Sequence, residues 1–409
     1  FETPGRTFWP GDDPYWEAVD IYYAATFDYE WYSPEAVNTS NGALVITMEE
    51  KETHNLNFRS GMLQSWNKFC FQGGYIEFAI KQPGAPTHQG YWPAAWLMGN
   101  LGRAGYLGST QGTWPYSYQS CDTGILDRQQ FVNGSGPEAA INSNAIYANK
   151  DGTLSSLPGM RMSACTCPGE DHAGPNVNVG RSAPELDILE AQFQNHDGSE
   201  HIWASQSMQT APFDVNYQWG DGATQAQVYD PTITEFNSYV GSPLQQCVSS
   251  ITQTPDRGFQ LTNGEFVKFG LDYSPDWDNN GNGYVTWYVD GKKTWTVHGS
   301  ALGPNPAVDI GRRPIPTEPM SIIMNLGIAQ GFQPIKWTGA NSVVFPAVME
   351  FDYVRVYQRD GQKDRITCDP EDHPTADYIA RHPDLYYNPN ITTYSSVYGW
   401  PKNRIKDGC

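Results

Sequence analysis

The sequence predicts an all-β domain with long loops, and three observations carry that prediction. Its 40 Gly and 30 Pro punctuate the chain, while 14 Trp and 24 Tyr supply bulky residues suited to pleated surfaces. Apolar residues alternate with polar ones in several short runs, the period of a half-buried strand. Helical periodicity is scarce, and only Thr375 to Ala380 reads as a short helix.

Residues 1–40 are aromatic and rich in Pro and Gly, an irregular lead-in expected to wrap the body. Alternation begins at Ala43–Glu49, with Leu44, Ile46 and Met48 on one face, and resumes at Tyr75–Lys81, with Ile76, Phe78 and Ile80 inward. The clearest hairpin comes later in the chain: Tyr284–Val289 and Lys292–Val297, joined by Asp290-Gly291, a type I′ turn pair. Val267–Tyr273 and Met320–Met324 add strands. From 101 to 184 the periodicity fails. That stretch reads as a long excursion of one domain spanning 1–358, with 359–409 as a tail packed on the same body.

The hexapeptide Glu185-Leu186-Asp187-Ile188-Leu189-Glu190 sets three carboxylates in an apolar run. In a regular strand Glu185 and Asp187 share one face and Glu190 falls on the other. A β-bulge at Ile188-Leu189 would return Glu190 to the side of its partners, and bulges are frequent beside active sites. Carboxylates crowded on one face repel each other, so the arrangement points to chemistry. Retaining glycoside hydrolysis needs a carboxylate nucleophile and a carboxylic acid about 5–5.5 Å apart. Two glutamates leaning inward can close that gap, and an aspartate between them can share a proton and raise its neighbour's pKa. An acidic strand edge or a calcium site is the plain alternative for so short a pattern.

Upstream lie Gly73-Gly74-Tyr75-Ile76-Glu77-Phe78 and Tyr91-Trp92-Pro93-Ala94-Ala95-Trp96-Leu97-Met98; downstream lies Met349-Glu350-Phe351-Asp352-Tyr353-Val354-Arg355-Val356-Tyr357. In this order the motifs resemble the family 16 glycoside hydrolases. A closer resemblance spans nearly the whole length. Phe8–Asp20, Ser65–Phe71, Met98–Tyr106, Ser163–His172 and the tail from Cys368 to Asn403 are similar to the fungal β-1,6-glucan-synthesis-associated branch. The resemblance implies a β-jelly-roll sandwich of two curved antiparallel sheets with a concave glycan cleft, acting with retention on β-1,6- or β-1,3-glucan. By motif position Glu185 is the nucleophile, Asp187 its helper and Glu190 the acid/base. A non-catalytic glucan-binding protein of wall assembly is the rival from another class. Members of the branch usually carry a cytosolic tail and a membrane-spanning helix ahead of this domain, and neither lies in these 409 residues.

Flat sugar faces pack on indoles. Trp92 and Trp96 share a strand face and so line the cleft or the core together; family position places at least one in the cleft. Trp66 and Trp114 are further subsite candidates, and Asn100 and Arg103, at the end of the Trp strand, are candidate hydroxyl binders. The aromatics of Trp114-Pro115-Tyr116-Ser117-Tyr118 either narrow the cleft or pack the excursion's own core.

The net charge of −20 argues against nucleic acid, anionic membranes and acidic polysaccharides. A neutral glycan and an acidic working medium fit it, and a monomer is expected. No apolar run approaches ~18 residues, so no membrane span is expected here. Sequons at Asn38, Asn133 and Asn390 and seven cysteines point to the secretory pathway or cell wall. Cys70, between two phenylalanines, is the expected buried free thiol. Cys368 and Cys409 are expected to staple the tail onto the body, leaving Cys121, Cys165, Cys167 and Cys247 for two bridges of open connectivity. No cofactor is required. Asp276–Gly283 looks faintly like a calcium loop, but Trp287 stands where the twelfth-position Glu belongs, so a hairpin connection is expected. The family allows a structural calcium, for which no ligand set stands out.

Overall fold

A computed structural model describes residues 1–196, 198–361 and 363–409. Its long strands are β1 (Ala43–Thr53), β2 (Gly74–Lys81), β3 (Trp92–Gly99), β4 (Glu185–His196), β5 (Ser199–Thr210), β6 (Gln245–Gln253), β7 (Val267–Ser274), β8 (Tyr284–Val289), β9 (Lys292–His298), β10 (Met320–Gly327) and β11 (Ala347–Tyr357). They form two sheets packed face to face, the expected sandwich. The first runs β10-β3-β4-β5-β6, extended by Met62–Gln64 and Glu17–Ala18 at one edge and Thr234–Phe236 at the other. The second runs β9-β8-β7-β2-β11-β1 and continues through Leu56–Ser60 to the N-terminal strands. Among the described strands pairing is antiparallel except where Glu30–Tyr32 runs parallel to Leu56–Ser60, and isolated parallel bridges join Gln82 to Phe259 and Tyr116 to Ala211.

Alternation decides which side chains meet between the sheets. Leu44, Ile46 and Met48 of β1 and Ile76, Phe78 and Ile80 of β2 are fully buried against Leu186, Ile188, Leu189, Met208 and Val248 of the first sheet. Asp290 and Gly291 both take positive φ, at 51° and 72°, as the β8–β9 turn requires. Asp276 accepts hydrogen bonds from the backbone N–H groups of Asn280 and Gly281, so its carboxylate shapes the β7–β8 connection.

The 101–184 excursion has a core of its own. Tyr116, Tyr118, Ile125, Leu154 and Met160 pack with Phe213 and Tyr217, which leaves Trp114 as the aromatic of its motif that turns toward the first sheet. The tail carries a helix at Ala376–Arg381, and its Tyr378, Leu385 and Tyr386 pack on Trp66 and Leu101. The lead-in residues Val19, Ile21 and Tyr32 cover Trp96 and Ile323 on the outer face of the first sheet.

The cysteine pairing differs from expectation. Cys70 is bonded to Cys368, Cys121 to Cys165 and Cys167 to Cys409, and Cys247 is the buried free thiol. The tail crosses back beside the Cys70 strand, where Gln72 N–H donates to the carbonyl of Arg365, and this lays Cys368 on Cys70. The chain end then reaches the excursion instead of its own beginning. Asn38, Asn133 and Asn390 are all exposed.

Candidate active site

The bulge forms where the sequence places it. Opposite β5, Asp187 pairs with Ser207 and Glu190 with Ser205, so two residues of β4 face one of β5. Opposite β3, Leu189 pairs with Ala95 and Asp187 with Trp96, again skipping Ile188. A bulge disrupts the ladder and leaves a backbone group seeking a partner. Here Trp287, stacked on Trp295 in the core, donates its Nε1–H to the Asp187 carbonyl at 2.7 Å. The sandwich interior thereby fixes the kink that returns Glu190 to the face of Glu185 and Asp187.

Directly opposed residues share a face, which gives the outer face of this sheet in rows. Glu185 lies beside Gln209 and Cys247; Asp187 beside Ser207 and Ser249; Glu190 beside Ser205 and Ile251. Asp187 is within hydrogen-bonding reach of both glutamates. Its Oδ2 also accepts from Ser207 Oγ at 2.7 Å and Gln209 Nε2 at 3.1 Å. Each glutamate takes one indole N–H: Trp114 Nε1 donates to Glu185 at 2.6 Å and Trp92 Nε1 to Glu190 at 3.1 Å. Trp92 in turn stacks on Phe332, centroids 4.0 Å apart and nearly parallel.

Carboxylates in contact with each other need a shared proton. Burial first, and then the neighbouring carboxylates, push Glu185 and Glu190 well above the ordinary range, and burial raises Asp187 to about 6. Their protons come off as a set belonging to the trio.

A carboxyl pair stands beside the trio. Asp28 accepts from Thr26 Oγ1 at 2.5 Å and Tyr32 Oη at 3.1 Å, and Glu30 accepts from Ile328 N–H at 3.1 Å. Tyr32 accepts from Asn325 Nδ2 at 3.0 Å, and Asn325 Oδ1 accepts from Trp96 Nε1 at 2.8 Å. Burial raises Asp28 to about 6, and burial plus Asp28 raises Glu30. The hydroxyl of Tyr23 is held protonated by burial and by carboxylates of both groups, Glu185 foremost and Asp28 next. Local spacing marks neither Tyr23 nor the Asp28–Glu30 pair. The alternation Ser205, Ser207, Gln209 is a legible signal for a polar face.

A folded-state pKa above the unfolded value stabilises the protein at low pH and loses that contribution as pH rises through it. These five carboxyls therefore favour folding at acid pH, and that contribution is lost as pH climbs above about 4, through about 6 for Asp28 and Asp187 and through values well above the ordinary range for the three glutamates. His172, lowered to about 4 by burial, acts in the opposite sense, as do His88 and His373, which burial also lowers. Glu30→Gln should raise the melting temperature at pH 7 and leave it unchanged at pH 4; a lower value at pH 7 would refute the shared proton.

Three expected subsite residues lie elsewhere. Trp66 stacks on Tyr386 and donates Nε1–H to the Asn100 carbonyl at 3.0 Å. The Asn100 side chain accepts from Asn67 N–H at 2.8 Å and donates to Thr375 Oγ1 at 2.9 Å. Arg103 lies between the Trp66 and Tyr106 rings and bonds the Tyr386 carbonyl and Glu17. All three are buried under the C-terminal tail. They anchor it, which corrects the expectation that Trp66 is a sugar subsite and that Asn100 and Arg103 bind hydroxyls. Trp96 shares the face of Trp92 but is covered by the lead-in.

The model of the family described as beta-glucan synthesis-associated protein SKN1/KRE6/Sbg1 matches residues 1–409. The chain belongs to that family. It is 44% identical to "Beta-glucan synthesis-associated protein KRE6" of Saccharomyces cerevisiae over 100% of this chain and 52% of that protein. It is 42% identical to "Beta-glucan synthesis-associated protein SKN1" of Candida albicans over 99% of this chain and 50% of that one. The chain thus spans about half the length of the curated relatives it matches. Among solved structures it aligns with the catalytic domain of an endo-1,3-beta-glucanase (laminarinase) from Thermotoga petrophila RKU-1. There the TM-score is 0.43 and the identity 16%, over 85% of this chain and 92% of that one.

Proposed function

We propose that this domain is a retaining, endo-acting β-glucan glycoside hydrolase or transglycosylase working on β-1,6- and/or β-1,3-glucan. The observation that carries the reading is the bulged strand, which gathers three proton-sharing carboxyls on one face and gives each glutamate an indole donor. The family's association with β-glucan synthesis supplies the substrate class. Gln209 Oε1 and Ser249 Oγ, buried in the rows of Glu185 and Asp187, have no partner among the described residues and suit sugar hydroxyls.

Glu190 protonates the glycosidic oxygen while Glu185 attacks the anomeric carbon. The bond to the leaving glucan breaks as an ester forms between Glu185 and the sugar. Glu190, now ionised, takes a proton from water or a sugar hydroxyl, whose oxygen displaces Glu185 with overall retention. Asp187 shares a proton with either glutamate and keeps Glu190 acidic at its working pH. Trp92 and Trp114 border the reacting sugar. Water as acceptor gives hydrolysis, and a glucan hydroxyl gives transfer. The three disulfides and the exposed sequons fit a secretory lumen or cell wall.

Product analysis by mass spectrometry tests the reading, using linear β-1,3- and β-1,6-glucan separately with Glu185→Gln protein as the blank. Shorter products establish a hydrolase and name the linkage. Products longer than a defined donor establish a transferase. No change in either polymer would defeat catalysis and leave a glucan-binding protein. Activity should be favoured in acidic solution and fall as pH rises, as the trio loses the proton that Glu190 must donate. Glu190→Ala should lower turnover by roughly 10²–10⁴-fold. Azide should restore part of it on an activated glycoside, whose leaving group needs no acid, and absence of rescue would remove Glu190 from the acid/base role.

A further inference from the structure

The carboxylate face continues beyond the trio. Glu190 pairs with Ser205, Ser205 with Ile251 and Ile251 with Glu235, while Gln192, Trp203 and Gln253 form the next row on the same side. There a cavity of about 240 Å³ opens between the β4–β5 hairpin and the edge strand. Its lining includes His196, Trp203, Glu235 and Gln253, with Thr232 and Thr234 beside them. Three sheet spacings separate the backbones of Glu190 and Glu235, roughly 14 Å.

We infer that this cavity is a second, non-catalytic site for one glucosyl unit of a neutral glucan, holding a branch or a neighbouring segment beside the carboxylates. The ligand class rests on the β-glucan reading; the chemistry rests on the lining. Trp203 is only 8% exposed, and its Nε1 has no acceptor among the described residues. His196 Nε2 is 3.5 Å from Glu235 Oε1, with no hydrogen bond between them. Buried donors left unpaired are costly, so an occupant that brings acceptors is favoured. The half-exposed Glu235 carboxylate needs donors. A hydroxyl supplies both. Anions are disfavoured by Glu235 and by the chain's net charge of −20. Cations lack ligands, since no group of three His, Cys, Asp or Glu side chains gathers among the described residues. An apolar ligand would strand the polar lining. The His196 ring lies over the Trp203 indole at 4.5 Å, so the sugar meets polar edges here, not an open aromatic platform. Tethering the polymer at this point raises the effective concentration of its other segments at the trio.

Calorimetry on the full chain in the Glu185→Gln background tests the site, with unbranched β-1,3- and β-1,6-linked tetraglucosides as probes. Two sites are expected. Glu235→Gln and Trp203→Phe should each weaken one of them about tenfold. Glu235 is half-exposed, so its variant keeps the fold even where that of Trp203 does not. Binding unaltered by both variants, or no binding of either probe, overturns the inference. The two readings fail separately. Loss of a site in Glu235→Gln together with no turnover by the unaltered protein supports the pocket and defeats the enzyme; turnover together with binding indifferent to both variants does the reverse.

Discussion

Glu185→Gln is expected to lower glucan turnover by roughly 10⁴-fold or more while leaving the fold and glucan binding in place. The amide has the shape of the carboxylate, and its oxygen can still accept the Trp114 indole N–H. It cannot form the glycosyl ester. The substitution also removes one of three mutually repelling buried carboxyls, so the change in stability has a predictable sign. Glu185 is raised by burial and by Asp187 and Glu190, which makes its ionisation a cost that grows with pH. The variant should therefore melt at the same or a higher temperature than the parent at pH 7, with the difference vanishing near pH 4. Steady-state kinetics paired with melts at both pH values separates chemistry from folding. Retained activity removes Glu185 from the nucleophile's role. A large drop in melting temperature would show that the carboxylate is structural.

What was legible in the sequence follows the range of the interactions. The bulge could be read from six residues because it is a conflict between strand period and the need to gather Glu185, Asp187 and Glu190. The Asp290-Gly291 turn is as local. The assignments that failed depend on chain segments hundreds of residues apart. Cys70 stands in a strand-like run between phenylalanines, and nothing near it announces that Cys368 returns 298 residues later. Asn100 and Arg103 do end the Trp strand, but the tail lies over that end, and their polar groups satisfy Thr375 and Tyr386. The same distance hid Asp28 and Glu30, acidic residues of an irregular lead-in that acquire meaning when Ile328 and Asn325 come beside them.

Glu318→Gln is expected to destabilise the fold by about 3–5 kcal/mol, the cost of leaving a buried guanidinium without its anion. The side chains of Arg181 and Glu318 are 0% and 4% exposed and meet in a two-pronged pair, Nε to Oε1 and Nη2 to Oε2, each 2.9 Å. Arg181 Nη1 also reaches the carbonyls of Gly174 and Pro374, at 2.7 and 2.8 Å, and Ser182 N–H donates to Glu318 at 3.0 Å. One ion pair thus ties the excursion, the tail and the approach to β10 together. It does so four residues before Glu185, where Gly99 N–H holds the carbonyl of Pro184 at 2.9 Å. Loosening it should let β4 shift at its entry to the site, so kcat should fall in conditions where the variant is still folded. A double replacement by apolar residues, Arg181→Met with Glu318→Leu, should be less destabilising than the sum of the single losses, because no charge is then stranded, although the Gly174 and Pro374 carbonyls and Ser182 N–H lose their partners. Denaturant unfolding of the two single variants and the double one measures the coupling. Equal and additive losses would mean that the pair contributes no more than two separate side chains, and an unaltered kcat in folded Glu318→Gln would disconnect the clamp from the carboxylate strand.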